Sequence, residues 1–209
     1  MSGRERCAVV VLAAGRSRRF RGGNKLLAGF GGRPLILSAV DAALRSRGAP
    51  VIVVTGHACA SLHRVLRSRQ RGRLRLVHNR RHRSGMASSL RRGLAAVPES
   101  CSGAVILPGD MPAVRARDID SLIAALQPGD EAVVPVAGGR RANPVLIARA
   151  LFPAMQRLAG DRGGRGLLAD RPAVRETPGR SATLVDVDTR AQYRRLAARG
   201  GCHDGAHSS

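Results

Sequence analysis

Ala8-Val9-Val10-Val11-Leu12-Ala13-Ala14-Gly15-Arg16-Ser17-Arg18-Arg19-Phe20-Arg21-Gly22-Gly23-Asn24-Lys25 carries the signal that sets the fold. Its first five residues form an unbroken apolar run, which predicts a buried strand. The glycine-rich stretch beyond it ends in Lys25, the only lysine among the 36 Lys and Arg residues of the chain. An ammonium is a compact point charge on a thin stem, whereas guanidinium is a broad planar fork. A lysine kept in a glycine-rich loop therefore suits a narrow slot beside phosphate oxygens, with glycine amides close at hand. Chance placement of a single lysine, or a surface hairpin rich in arginine, is the alternative.

Working outward, short apolar runs alternate with helical patterns, the mark of an α/β domain with a mainly parallel sheet. Strands are predicted at 51–54, 74–77, 104–107, 132–136 and 144–147, the last returning after the polar turn 138–141. Helices are expected over 34–45, 58–67, 87–96, 119–126 and 149–158. Pro34 fits a first helical position, with Leu35, Ala39, Ala42 and Ala43 forming an apolar face. A late strand is expected over 183–188 and a final helix over 190–198. One domain over 1–199 is expected, followed by a disordered polar tail at 200–209.

The 209 residues suffice for a substantial core, and the hydrophobic fraction is 44%. Aromatic residues make up 2%, so Val, Leu, Ile and Ala must build that core. The formal charge of +22 suits a polyanionic partner, but arginines are spread along the whole chain, as a compositional bias towards Arg, Ala and Gly would spread them. The basic run 71–83 lacks the interleaved aromatics that stack on bases, so a solvated face is expected rather than a nucleic-acid site. The four cysteines are far apart and form no CxxC pair. The chain opens with a polar stretch and no apolar run is long enough to span a bilayer, so a reduced, cytoplasmic protein is expected.

Ligands of parallel α/β sheets sit beyond the carboxyl ends of the strands. Asp110, in Gly109-Asp110-Met111-Pro112, closes the fourth predicted strand and is placed to hold magnesium beside a triphosphate. Asp188 can supply a second ligand, although alternation puts Asp186 on the same face. Either aspartate can instead be a turn former. Gly85-Met86-Ala87-Ser88-Ser89-Leu90 opens a helix whose amides and hydroxyls can hold a sugar or base, and a serine there caps a helix equally well. Asn79 is expected to brace this loop. There is no GxxxxGK[ST] and no GxG after the first strand, which disfavours P-loop and Rossmann readings. No GxSxG or HExxH is present, and no histidine is expected in catalysis.

Together these residues resemble the MobA-like NTP transferase family, and within it the molybdenum cofactor cytidylyltransferases. The opening pattern LAAGxSxRxG is met by Leu12 to Arg19, followed by Lys25-Leu26-Leu27. Val54-Thr55-Gly56-His57, Asn79 with 85–90, and Leu107 to Pro112 match further along. So do Asn143-Pro144-Val145-Leu146, Gly160 to Arg165, and Asp186-Val187-Asp188-Thr189. The resemblance implies a three-layer glycosyltransferase-A-like (nucleotide-diphospho-sugar transferase) fold.

It implies that Leu12, Ala13, Ala14, Gly15, Ser88 and Gly109 bind the nucleotide and that Arg19 and Lys25 hold the triphosphate. Asp110 and Asp188 would bind Mg2+, and Asn143, Pro144, Asp161 and Arg165 would face the acceptor. Ala14, giving LAAG rather than LAGG, resembles the cytidylyl-transferring branch. Arg21 in the loop, Ala142 before Asn143 and Arg190 after the DxDT motif depart from the pattern.

The implied reaction is attack by the phosphate of molybdopterin cofactor on the α-phosphorus of CTP, releasing pyrophosphate. It needs no side-chain nucleophile, in keeping with the missing triad. A molybdoenzyme maturation chaperone is a further implied partner. GTP or another phosphorylated acceptor, an oxidoreductase activity on the same scaffold, and a basic nucleic-acid binder are the alternatives.

Overall fold

A computed structural model describes residues 6–17, 20, 23–70, 72–160, 165–169, 171–184 and 192. Strand β1 (Cys7–Ala13) leads through a loop to a 3-10 turn at Lys25–Leu27. A small hairpin follows, β2 (Gly29–Phe30) against β3 (Arg33–Pro34), then α1 (Ile36–Arg45), β4 (Val51–Thr55), α2 (Cys59–Leu66) and β5 (Leu74–His78). Next come α3 (Met86–Leu94), β6 (Gly103–Pro108), α4 (Ala116–Ala125), β7 (Ala132–Ala137), β8 (Arg140–Arg141) and β9 (Val145–Ala148). The described elements close with α5 (Phe152–Gln156), α6 (Arg165–Leu168) and β10 (Val174–Pro178).

The main sheet runs β10-β7-β9-β6-β1-β4-β5, with β8 paired to β7. β9 alone is antiparallel to its neighbours on that path, and the other neighbouring pairs are parallel. The fold class expected from the sequence is therefore the one observed. Alternation along β1 supplies two cores at once. Val9, Val11 and Ala13 face α1, α2 and α4, while Ala8 and Val10 face α3 and α5. Residues 8–11 are 0% exposed, and each valine so buried is worth about 1.5–3 kcal/mol relative to exposure. Nothing but a two-sided apolar strand fits between two helical layers, which is why the run reads continuously apolar.

Three expectations need correction. Pro34 is not the first residue of a helix: Gly31 and Gly32 adopt φ of 56° and 76°, which turns the chain into the β2–β3 hairpin and delays α1 to Ile36. Residues 149–158 form a 3-10 turn at Arg149–Leu151 and the short α5 rather than one helix. Thr183 and Leu184 belong to a 3-10 turn (Ser181–Leu184), not to a strand. Among the described residues the sheet instead ends on β10, whose Arg175 and Glu176 hide an edge strand from an apolar-pattern reading. The expected strand at 185–188, the final helix and the tail lie outside the described residues.

Candidate active site

The parallel strands β1, β4 and β6 end on one rim, and the loops there are fastened to one another. Gly109 N–H donates to Leu12 O at 3.0 Å, and His57 N–H donates to Ala14 O at 3.3 Å. A methyl group on Gly109 would lie 2.8 Å from Ile36 Cδ1 and 3.1 Å from Leu12 O. Glycine is therefore required for Asp110 to emerge beside β1. Met111 and Val114, both buried, anchor the far side of that turn in the core.

The loop after β1 is closed by its own side chains. Ser17 adopts φ 50°, and its hydroxyl accepts Lys25 N–H at 3.1 Å while donating to Asn24 Oδ1 at 3.4 Å. Asn24 Oδ1 also accepts Leu26 N–H at 3.0 Å, capping the 3-10 turn that carries Lys25. Leu26, 4% exposed, pins that turn to the core. Lys25 Nζ then donates to Asp110 Oδ2 at 2.5 Å, across 85 residues of chain. The two side chains are 15% and 17% exposed, so this charge pair stands at the rim, largely shielded but open to ligand. Asn24 Nδ2 is buried and has no hydrogen-bond partner among the described residues.

The residues expected to hold nucleotide divide by what they expose. Gly15 is exposed, and among the described residues nothing lies within 4 Å of an added Cβ. Leu12 is half-buried and Ala13 buried, both at the end of β1. Ala14 is 4% exposed and directed inward, where a Cβ on Gly56 would stand 2.8 Å from its methyl group. Ser88 is buried and its hydroxyl is used within its own loop, accepting from Asn79 Nδ2 at 2.9 Å and lying 2.8 Å from Gly85 O. Asn79 also donates to Ser89 at 3.1 Å, the bracing role expected of it.

Of the residues expected to face an acceptor, Asn143 is half-buried, and Pro144 lines a cleft of about 200 Å3 with Arg117, Asp118, Pro135 and Arg180. Arg180 donates to both oxygens of Asp118, at 2.7 and 2.5 Å. Burial pushes the Asp118 carboxyl up, but the hydrogen bonds from Arg180 and the Arg115 amide, with the charges of Arg180 and Arg117, hold it below its ordinary value. Gly160 O accepts Ala87 N–H at 3.1 Å, which brings the start of the 160–165 motif to the head of α3. Arg19, Asp161, Asp186 and Asp188 lie outside the described residues, as does the side chain of Arg165, the first residue of α6.

Among the described residues no group of three His, Cys, Asp or Glu could hold a metal. Asp110 nevertheless fits a magnesium-like ion, which binds through one or two carboxylates and takes its other oxygens from phosphate and water. No helix of the described residues is long and apolar enough to cross a membrane. Ser17 and Asn24, which shape the loop after β1, were not among the residues expected from sequence; small cap-forming residues eight and one places before Lys25 were the available signal.

The MobA-like NTP transferase domain family matches this chain over residues 9–176. The bifunctional protein GlmU of Sorangium cellulosum is 28% identical over 80% of this chain and 36% of its own length. Nicotine blue oxidoreductase of Paenarthrobacter nicotinovorans is 30% identical over 90% of this chain and 94% of its own. The 2-C-methyl-D-erythritol 4-phosphate cytidylyltransferase of Frankia casuarinae is 33% identical over 63% and 48%. The chain thus spans about a third of that GlmU and about half of that cytidylyltransferase.

Among solved structures, Rv0371c of Mycobacterium tuberculosis superposes with TM-score 0.82 at 28% identity, covering 94% of this chain and all of that one. A manganese complex of Rv0371c gives TM-score 0.77 at 27% identity, over 92% and 98%. The 4-diphosphocytidyl-2C-methyl-D-erythritol synthase of Anaerococcus prevotii gives 0.75 at 14% identity, over 94% and 96%, which shows the nucleotide-diphospho-sugar transferase-type fold alone.

Proposed function

This chain belongs to the MobA-like NTP transferase domain family, and on that premise we propose that it transfers a nucleoside monophosphate from CTP to the phosphate of molybdopterin cofactor, releasing pyrophosphate. The observation that carries the reading is the 2.5 Å contact between Lys25 Nζ and Asp110 Oδ2 at the rim where β1 and β6 end. An ammonium and a carboxylate held together there form two halves of a triphosphate site: one charge for phosphate oxygens, one for a counter-ion.

On binding, Lys25 exchanges the Asp110 carboxylate for phosphate oxygens, aided by Arg19 and by the exposed backbone of Gly15. Leu12, Ala13, Ala14 and Gly109 shape the floor under the base and ribose; Ser88 acts from behind, by holding its loop. Asp110, with Asp188, would hold a divalent ion, whose charge would offset that gathering on the leaving pyrophosphate. Such an ion is in keeping with the manganese complex of Rv0371c. Asn143, Pro144, Asp161 and Arg165 would orient the acceptor. Its phosphate is already ionised, so attack on the α-phosphorus needs positioning and charge neutralisation rather than a side-chain base.

Pyrophosphate release is measured with each NTP, Mg2+ and molybdopterin cofactor. The reading predicts release from CTP that depends on both metal and acceptor. Release from GTP alone, or with a different phosphorylated acceptor, would move the chemistry within the family. The full-length likeness to nicotine blue oxidoreductase favours one second reading, an oxidoreductase on this scaffold. It predicts NAD(P)H consumption with CTP left intact.

A further inference from the structure

The turn leaving β4 brings together three side chains that nucleotidyl transfer does not use. Thr55, the last residue of β4, is fully buried, with Oγ1 3.4 Å from Cys59 Sγ and 3.2 Å from His63 Nε2. Cys59 Sγ and His63 Nε2 are themselves 3.4 Å apart, which closes a triangle. The two residues are four apart on α2, so one helical turn stacks them on one face. Ala58, in the left-handed conformation at φ 60°, turns the chain so that this face meets Thr55. Cys59 and His63 are half-buried, whereas Cys7 and Cys101 are each 2% exposed.

We propose that Cys59 is a reactive thiol and a site of covalent modification by low-molecular-weight disulfides. Thiolate, not thiol, is the nucleophile, so a proton acceptor in contact with sulfur is what separates a reactive cysteine from an inert one. His63 Nε2 takes the Sγ proton, and both the imidazolium N–H and the Thr55 hydroxyl then donate to the sulfur anion. Cys59 is also the first residue of α2, where unpaired amides favour negative charge. The anion attacks one sulfur of the disulfide: a new S–S bond forms, the old one breaks, and the departing half leaves as thiolate and takes the proton from His63. One thiol and one disulfide give one mixed disulfide and one thiol, with no further oxidant. The triangle lies one strand across from the loop bearing Lys25, and its chemistry is read without nucleotide.

The test treats the full chain carrying Cys202→Ser with dithiobis-nitrobenzoate, an aromatic disulfide, and locates the adduct by peptide mass spectrometry. Cys59 is expected to react at least about tenfold faster than glutathione at about pH 7, and faster still relative to Cys7 and Cys101. His63→Gln, which keeps a hydrogen-bonding side chain but cannot take the proton, should slow that reaction at least about fivefold. Cys59→Ser should remove the fast phase. A Cys59 rate at or below that of glutathione would overturn the proposal in the parent protein, whatever the variants do. So would an unchanged rate in a His63→Gln protein with the parent circular dichroism spectrum.

Discussion

Between β5 and β6 the sheet is wholly parallel, and β1 and β4 are buried on both faces. Between β9 and β10 one strand reverses, and the outermost carries Arg175 and Glu176 at a half-exposed edge. The first region is fixed by close packing, which fails by steps when a methyl group is added or removed. The second is laced by ion pairs: Arg175 with Asp130, Arg141 with Glu176, Arg180 with Asp118. Packing of Leu26 and Met111 holds the Lys25–Asp110 pair to a small tolerance, which the proposed triphosphate site would require. Charge pairs at the other end can be exchanged without rebuilding a core.

The largest effect should fall on the packed side's own charge. Lys25→Ala is expected to lower pyrophosphate release about 10²–10³-fold, or about 2.7–4 kcal/mol, the range for losing one electrostatic stabiliser. Lys25→Arg should not restore the rate, because the planar fork does not fit where an ammonium does. Gly93→Ala comes next. Its Cβ would stand 2.4 Å from Val10 Cγ1 and 3.0 Å from Val54 Cγ2, where α3 meets the sheet. Overpacking costs about 1–3 kcal/mol, more than the gain of at most about 1 kcal/mol from replacing a helical glycine. A lowered urea midpoint at constant slope would show it.

On the paired side, Asp118→Ala removes both a charged partner of Arg180 and the carboxylate that accepts Arg115 N–H at 2.8 Å, at a cost of about 1–2 kcal/mol. This cost depends on pH. The Asp118 carboxyl lies below its ordinary value of 3.8 in the folded chain, so its contribution is complete above that value. It is lost as pH falls from there through the lower folded value. Melting temperatures of the parent and Asp118→Asn should therefore differ near neutrality and converge in acid. Arg175→Ala should matter least, by less than about 1 kcal/mol, with the difference shrinking in salt. A larger loss would mean that the edge is held as rigidly as the centre.

The same contrast explains what could be read from the sequence. Residues 8–12 and 51–54 announce themselves because a two-sided core demands continuous apolar side chains, and Gly109-Asp110 follows from a strand's end. β10 escaped because an edge strand needs charge on its open side, which erases the apolar signal. Pro34 misled because its helix-starting preference lost to the Gly31-Gly32 turn. The closure of the loop after β1 by Ser17 and Asn24 is a matter of side-chain geometry, and their residue types alone do not distinguish a loop clasp from a solvent contact. Cys59 and His63 show a helical spacing in the sequence, but Thr55 joins them only through the left-handed turn at Ala58.

Calorimetric titration of CTP in Mg2+ is the decisive measurement, made on the parent protein, Lys25→Ala and Asp110→Ala. Saturable binding that weakens at least about tenfold in each variant, about 1.4 kcal/mol, is the predicted result. Equal affinity in all three proteins would contradict the account, because the ammonium and carboxylate that meet at the sheet's rim would then have no part in holding the nucleotide.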